Sequence, residues 1–550
     1  MKLTEAEILD RVSATEAARN GWALQAVQWE DMWKLKQFTR TPQQAVEQDS
    51  QEQVTLPIPR NVVNLAQRLI STTPKIDVPS ATVTAEGDKL AEKIEQWLTA
   101  AFQAINRQQS RNLISDLTWQ SLVRGRAAVE IKWIGELIPK HMKDKFFPIL
   151  VRTLDPLSVG VNRGPFYTNY AYYKQMTARM DVLAEFPKFK LDDIVSDSKS
   201  NRVASENEKL EVIDMWWRNH ATWRIWNAVL VNGQFAKKPA QTDYREIPIL
   251  EIMGDSAPLD DEEYRAQSIL APIKELWQYQ NRLASQMATG LLWHFWPAIT
   301  VKSEAGTEVP DLVLKPGQTT NLEPGHTVEV ISISPNVPMA QAVDGRIDAE
   351  MQNSTFPSLM YGKSPGELSA GYAVSMLADA AKGRIKSPLE NLEFGLAQMC
   401  RIILGEVAEF ADKKGVEVWG MDERSTKSYR LALTKAEAND YTEANVSLKP
   451  QVPSDLQQIQ TLGLRLVEAG IISIRTYRDK FMNITVPSDE QARVELEKAL
   501  QAEEMTPLVA QAALEKYFGP DWKELLGVEP PPPPPMPDPN MMPPQGPPPM

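Results

Sequence analysis

Hydrophobic residues in the first forty positions recur at helical spacing. Trp22, Trp29 and Trp33 are seven and four residues apart, which puts them on one face of a helix. That stripe predicts packing on the chain's own domain or on a neighbouring copy. A Gln-rich polar stretch follows at 40–55, then predicted helices near 60–72 and 86–106. A helical pattern at 110–125 ends at Arg124-Gly125-Arg126. AAVEIKWI (127–134) alternates as a strand does, and strand-like pieces return at 148–154, 210–217 and 223–231. The section 1–265 thus reads as mixed α and β.

From 266 the period changes. Ala266, Ile269, Ile273, Leu276, Gln280, Leu283, Met287 and Leu291 recur every three or four residues, predicting one helix of about 28 residues and ~42 Å. Trp277, Trp293, Phe295 and Trp296 load it with aromatics, and Pro297 stops it. AITVKS, DLVLK and TVEVISIS read as strands, with turns at Lys315-Pro316-Gly317 and Glu323-Pro324-Gly325. Residues 298–336 are therefore a small β-rich unit, and a return helix is predicted over 337–360. Two long helices bracket a small head. Such a stalk needs other copies to cover its apolar flank.

YGKSPGELSAGY (361–372) is a loop with three glycines. Helix is predicted from 373 to about 413, with Ser387-Pro388-Leu389-Glu390 as a break or kink and a restart at Pro388. Beyond it Leu389, Leu392, Leu396, Met399, Ile403 and Phe410 share a face. SYRLALT (428–434) is strand-like, Pro450 and Pro453 mark a linker, and 454–527 reads as several helices, the first ending at Gly470. Thirteen of the last 21 residues are proline, which predicts a polyproline-like extension without a core.

Composition narrows the function classes. The chain has 550 residues, 43% of them hydrophobic, enough for a sizeable core. Its net charge of −13 argues against a surface that clamps nucleic acid throughout, but not against one that DNA slides past. A single cysteine excludes an internal disulfide framework and a Cys-rich zinc site; Cys400 lies in an apolar helical pattern and reads as core. MKLTEAEILDRV lacks the apolar segment of a signal peptide, and no run approaches the ~20 apolar residues of a membrane helix. A soluble protein with no membrane partner is expected.

Catalytic chemistry is sparse. His141, His220, His294 and His326 are not at metal-ligand spacing, so no metal and no cofactor is expected; His326 reads as part of a Pro-Gly turn. There is no phosphate-binding P-loop. Gly362-Lys363-Ser364-Pro365-Gly366 fits the nucleophile-elbow expression, but Pro365 lacks the N–H an oxyanion hole requires, and no histidine follows His326. Asp and Glu number 72, so a polymer-degrading hydrolase with two suitably spaced carboxylates stays open as an alternative. Asp260-Asp261 and Glu262-Glu263 read as a solvated turn. The expectation is a structural protein and not an enzyme.

Several stretches in order carry a likeness to a known family. They are PRNVVNLAQRLISTTPKIDVPS (59–80), LTWQSLVRGRAAVEIKW (117–133), LDPLSVGV (154–161), EIPILEIMGD (246–255) leading into SILAPIKELWQYQNRLASQMATGLLW (268–293), SDLQQIQTLGLRLVEAGIISIRTYRDKF (454–481) and PSDEQARVELEKALQAEE (487–504). Together they resemble the portal (head–tail connector) proteins of tailed bacteriophages, over roughly 1–505. The resemblance implies an α+β, mainly helical fold. Its parts would be a wing (1–265), a first stem helix (266–297), a small α/β clip (298–336), a second stem helix (337–360), a tunnel loop (361–372), a long kinked helix with the rest of the wing (373–452), a helical crown (453–527) and a Pro-rich tail (528–550).

It also implies a homo-oligomer of twelve at one capsid vertex, with viral double-stranded DNA, the major capsid protein, terminase and a head–tail adaptor protein as partners. The location implied is the virion, assembled in the host cytoplasm. A non-portal tail or baseplate protein is the structural alternative.

A channel for DNA must touch phosphates without holding them, because each neutralised phosphate adds to a salt-dependent grip. Residues 361–386 carry Lys363, Lys382, Arg384 and Lys386 against Glu367 and Asp379, whereas 487–504 carry a balance of −4. Lys363 and Ser364 are the first candidates for transient phosphate contact, followed by Lys382, Arg384 and Lys386. Gly362, Gly366 and Gly371 are candidate hinges of the loop.

Overall fold

The Thr4 hydroxyl accepts from the Glu7 N–H while the Glu7 carboxylate accepts from the Thr4 N–H, so helix α1 (Glu5–Trp33) starts on a capping box. Trp22 and Trp29 are buried, and Trp33 meets Trp119 edge-on at 5.2 Å. The tryptophan stripe is spent on the chain's own fold. Helix α2 (Ile58–Ile70), the short strand β1 (Lys75–Asp77), helix α3 (Ala85–Gln109) and helix α4 (Leu113–Arg124) follow. Gly125, at φ 75°, ends α4 in the left-handed conformation and turns the chain into strand β2 (Arg126–Trp133).

This computed structural model describes residues 2–37, 52–82, 84–139, 146–187, 189, 209–295, 298–303, 326–331, 337–356, 371–421, 428–439, 441, 443–449, 463–474, 477 and 494. The chain divides into two units, Met1–Pro453 and Ser454–Met550.

In the first unit, β2 lies between β3 (Ile149–Leu154) and β9 (Ile249–Met253), both antiparallel to it. A second antiparallel sheet runs in chain order: β4 (Val159–Arg163), β5 (Thr168–Ala178), β6 (Lys209–Arg218), β7 (Ile225–Val231) and β8 (Gln234–Gln241). Helix α5 (Arg179–Glu185) follows β5. Ile8 and Val12 of α1 pack on this sheet against Ile213, Met215 and Leu230. β4, β5, β8 and β9 lie outside the expected strands. β8 is a mostly exposed edge with the sequence QFAKKPAQ, and β5 lacks a clean inside–outside alternation.

The long helix predicted from 266 begins later. Ala266–Gln267 form strand β11, paired with β10 (Asp255–Ser256), and Pro272 lies in a 3-10 turn. Helix α6 proper is Lys274–Phe295. Strands β12 (Ala298–Ser303) and β13 (His326–Ile331) pair antiparallel, so His326 sits on a strand rather than in a turn. Helix α7 is Val337–Ser354, shorter than the expected return helix; DLVLK, both Pro-Gly turns and 357–360 lie outside the described residues.

Helix α8 (Gly371–Phe410) runs through Pro388 without a restart. Proline removes one helical hydrogen bond there, and side-chain anchors stand beside it. Ile385 and Leu392 are buried, the Ser387 hydroxyl accepts from Ser256 N–H, and Asn391 donates to the Gly254 carbonyl at 2.7 Å. Leu392, Leu396, Met399 and Ile403 form the buried stripe, and Cys400 is core, its thiol pushed up to about 12 by burial. Strands β14 (Val416–Met421) and β15 (Ser428–Leu433) pack on α3. After the short helix α9 (Lys435–Asn439), strand β16 (Asn445–Ser447) pairs with β1.

In the second unit, a helical turn at 463–468 ends at Gly470, φ 69°, with Ile471 N–H donating to the Leu466 carbonyl. The Pro-rich tail and the acidic 487–504 segment lie almost wholly outside the described residues.

Candidate functional site

Helices α6 and α7 form an antiparallel hairpin whose far end is the β12–β13 ribbon. The later turns of α7 pack on the 3-10 turn ahead of α6, with Ile347 and Met351 buried there. Farther along, Gln280 donates to Asp344 at 3.0 Å. The ribbon registers Ala298 with Ile331 and Ser303 with His326. Apolar side chains remain on the outside of this pillar: Tyr279 is 54% exposed and Met339 64%, with Leu291 and Leu292 near 40%. Its charges nearly cancel. Lys274 and Arg282 oppose Glu275 on α6, and Arg346 opposes Asp344, Asp348 and Glu350 on α7.

A polar ladder on α6 holds a second segment against the pillar. Asn281, Ser285 and Thr289 stand four residues apart. They accept from the backbone N–H groups of Leu56, Val54 and Glu52, each at 3.0 Å. Trp277, one turn earlier, donates to the Leu56 carbonyl at 2.9 Å. Residues 52–56 thus form a strap along the helix. The N-x-x-x-S-x-x-x-T spacing is the signal that the sequence offers for this strap.

Of the predicted contact residues, the described ones do not share one face. Lys363, Ser364, Gly362 and Gly366 lie outside the described residues. Gly371 is the first residue of α8, so it opens a helix and is not a hinge within a loop. Lys382 and Lys386 are one helical interval apart and share a face, whereas Arg384 is about 200° round from each. Lys382 is half-buried. Lys386 is exposed, 3.8 Å from Glu390. Arg384 donates to the Asn353 carbonyl in the last turn of α7. A guanidinium there satisfies a free helix-end carbonyl and opposes the negative end of the helix dipole. Its placement ties α8 to the return leg of the hairpin.

Two buried electrostatic features were not legible in the sequence. Glu251, on β9, pairs with Arg19 and with Arg126 at 3.4 Å, and Arg126 reaches Glu262 at 2.7 Å. Burial alone would raise the Glu251 carboxyl. The fields of Arg19, Arg126 and Arg163 overcome it and hold the group at about 2. Trp22 lies against both guanidinium groups, at 4.9 Å and 4.7 Å. Glu262 is therefore not in a solvated turn, and Glu263 accepts from Gln25; Asp260 and Asp261 alone are exposed.

The second feature is Glu406 on α8. Both its carboxylate oxygens are buried without a hydrogen-bond partner, beneath a cavity of about 90 Å³ lined by Tyr244, Arg245, Arg401 and Phe410. Burial pushes its carboxyl well above the ordinary range, and nearby Glu130 adds to this against Lys132. Arg245 and Arg401 are already paired with Glu409 and Glu246. The arrangement favours the protonated form of the acid. Among the described residues no group of three or more His, Cys, Asp or Glu is placed to hold a metal, and no helix is long and apolar enough to cross a membrane.

No family model matches the sequence, and no curated protein matches it. Among solved structures the chain is similar to one in the neck of an empty gene transfer agent particle computed with C6 symmetry, at 13% identity and a TM-score of 0.40. It is also similar to chains in the virion of a native gene transfer agent particle (13%, 0.39) and in the neck of a native particle computed with C12 symmetry (14%, 0.37). Each match covers 77% of this chain and 89% of the other. At such scores the likeness supplies no functional argument, and what the protein does must be read from its own residues.

Proposed function

We propose that the chain is a portal protein, one subunit of a ring at a capsid vertex through which viral DNA is packaged and ejected. The observation that carries this reading is the α6–α7 hairpin with its β12–β13 tip, set between a mixed α/β body and the long helix α8. Exposed apolar groups on both legs are costly on a lone pillar and natural on one of many packed side by side. Near-neutral legs suit a wall past which phosphates slide, because few counterions are released and the grip stays weak.

In this reading the ribbon is the docking end for the packaging motor and the tail adaptor. The 361–372 segment, with Lys363 and Ser364, offers brief phosphate contacts. Lys382 and Lys386 add charge on one face of α8, and Arg384 couples α8 to the hairpin. The protein works as a structural conduit without catalysis. The test is electron microscopy of the purified full-length chain. Closed rings with a central hole, twelve subunits round, are expected; a population of single subunits at micromolar concentration overturns the proposal.

A further inference from the structure

Two neighbouring turns of the five-stranded sheet carry an exposed aromatic corner. Phe166, between β4 and β5, is 92% exposed, and Trp223, between β6 and β7, is 58% exposed. Tyr167 packs edge-on to Trp223 at 4.9 Å, and its hydroxyl lies 3.2 Å from Nδ1 of His220. Arg218 lies against both rings, 5.4 Å from Tyr167 and 5.7 Å from Trp223, and its Nε is buried without a partner.

The corner is held in shape. Trp223 has φ 56°, a conformation a bulky residue rarely adopts. The turn is fixed around it by Trp223 N–H to the Asn219 carbonyl at 2.7 Å, Asn219 N–H to the Arg224 carbonyl at 2.9 Å, and Ala221 N–H to the Asn219 side chain. Backbone strain that presents an indole to solvent needs a use. Rigid aromatics beside arginine are the composition of interface hot spots.

A different surface of the same unit has the opposite character. The segment between β10 and β11 exposes Leu259 and Tyr264 at 47% and 45%, together with Asp260 and Asp261. It is anchored from beneath by Glu262 and Glu263 to Arg126 and Gln25. Apolar groups flanked by carboxylates complement aromatics flanked by Arg218 and Arg224. Because the two surfaces differ, their contact is head-to-tail, the kind that repeats around a closed ring.

Resting on the ring reading above, we propose that the aromatic–arginine corner of one copy takes up the acidic, apolar 257–264 segment of the next copy. DNA is the weaker fit. So few cations release few counterions, and the corner's rings find apolar partners in Leu259 and Tyr264 but none along a duplex backbone.

The experiment is native mass spectrometry of the full-length chain and its variants. Phe166→Ser with Trp223→Asn removes both rings, and asparagine tolerates the positive φ, so thermal unfolding of the subunit should stay unchanged. Ring dissociation should rise by about tenfold or more. Asp260→Lys with Asp261→Lys should weaken rings comparably, and adding Arg218→Glu and Arg224→Glu to it should recover them.

A wild-type chain that forms no rings overturns the ring reading and this inference with it. Wild-type rings that persist in either weakened variant overturn only the inference, as does loss in the corner variant alone. Duplex binding, read by fluorescence anisotropy, that is lost in the corner variant while rings survive assigns the corner to DNA and also overturns it.

Discussion

The body around β2 and the α6–α7 hairpin solve the same problem in opposite ways. The body closes on itself. Glu251 sits 3% exposed among arginines, Trp22 and Trp97 are fully buried, and the last strand of the unit pairs with its first. The hairpin buries one flank on the body and leaves Tyr279, Leu291 and Met339 to solvent. Stability is concentrated where charge is enclosed and paired; in the ring proposed above, assembly falls to the region where apolar surface is left uncovered. A change in one region should therefore be felt as unfolding, and a change in the other as lost association.

The largest effect is expected in the body. Glu251→Ala strands Arg19 and Arg126 without their shared carboxylate and should cost about 3–5 kcal/mol in chemical denaturation. The same carboxyl has a folded value of about 2 against an ordinary 4.5, so its contribution is present above pH 4.5 and lost as pH falls towards 2. Acid unfolding of Glu251→Gln should lose that component.

At the join between the regions, Asn281→Ala takes away the acceptor of the Leu56 N–H and the donor to Gln37 Oε1. A cost of about 1–3 kcal/mol is expected, with faster amide exchange at Leu56, Val54 and Glu52. Glu406 tests the body with the sign reversed. Its raised folded value favours the protonated form, so stability falls as pH rises above 4.5. Glu406→Gln should raise Tm, more at pH 8 than at pH 5.

The smallest effect on the subunit belongs to the hairpin. Tyr279→Gln should shift unfolding by no more than about 0.5 kcal/mol while reducing ring yield. A large loss of subunit stability would erase the contrast between the two regions.

What the sequence disclosed follows the same division. The hairpin was legible because its helices carry apolar residues at one period over many turns and its head switches to period two. The start of α6 was misplaced because Ala266 and Ile269 continue that period by chance, while pairing with the earlier strand Asp255–Ser256 decides the backbone. Pro388 was read as a restart because local rules know nothing of Ser256 and Asn391 beside it. In the body, β8 was missed because an exposed edge strand carries no apolar alternation, and two lysines and Pro239 interrupt its pattern. Glu251 and its arginines were missed because a buried ion pair has no local signature: Arg19 and Glu251 are 232 positions apart. Of the candidate contact residues, Arg384 has a helix-end carbonyl, that of Asn353, as its described partner, a pairing with no local sequence signature.

The strap along α6 joins two rulers with different graduations. Four helical residues advance about 6.0 Å and two extended residues about 6.6 Å, so successive rungs fall out of step by roughly 0.6 Å. Three rungs absorb that drift within hydrogen-bond tolerance, and a fifth or sixth would not. Such a vernier has one best alignment and a built-in maximum length. It tells the chain both where to lie down on the helix and where to let go.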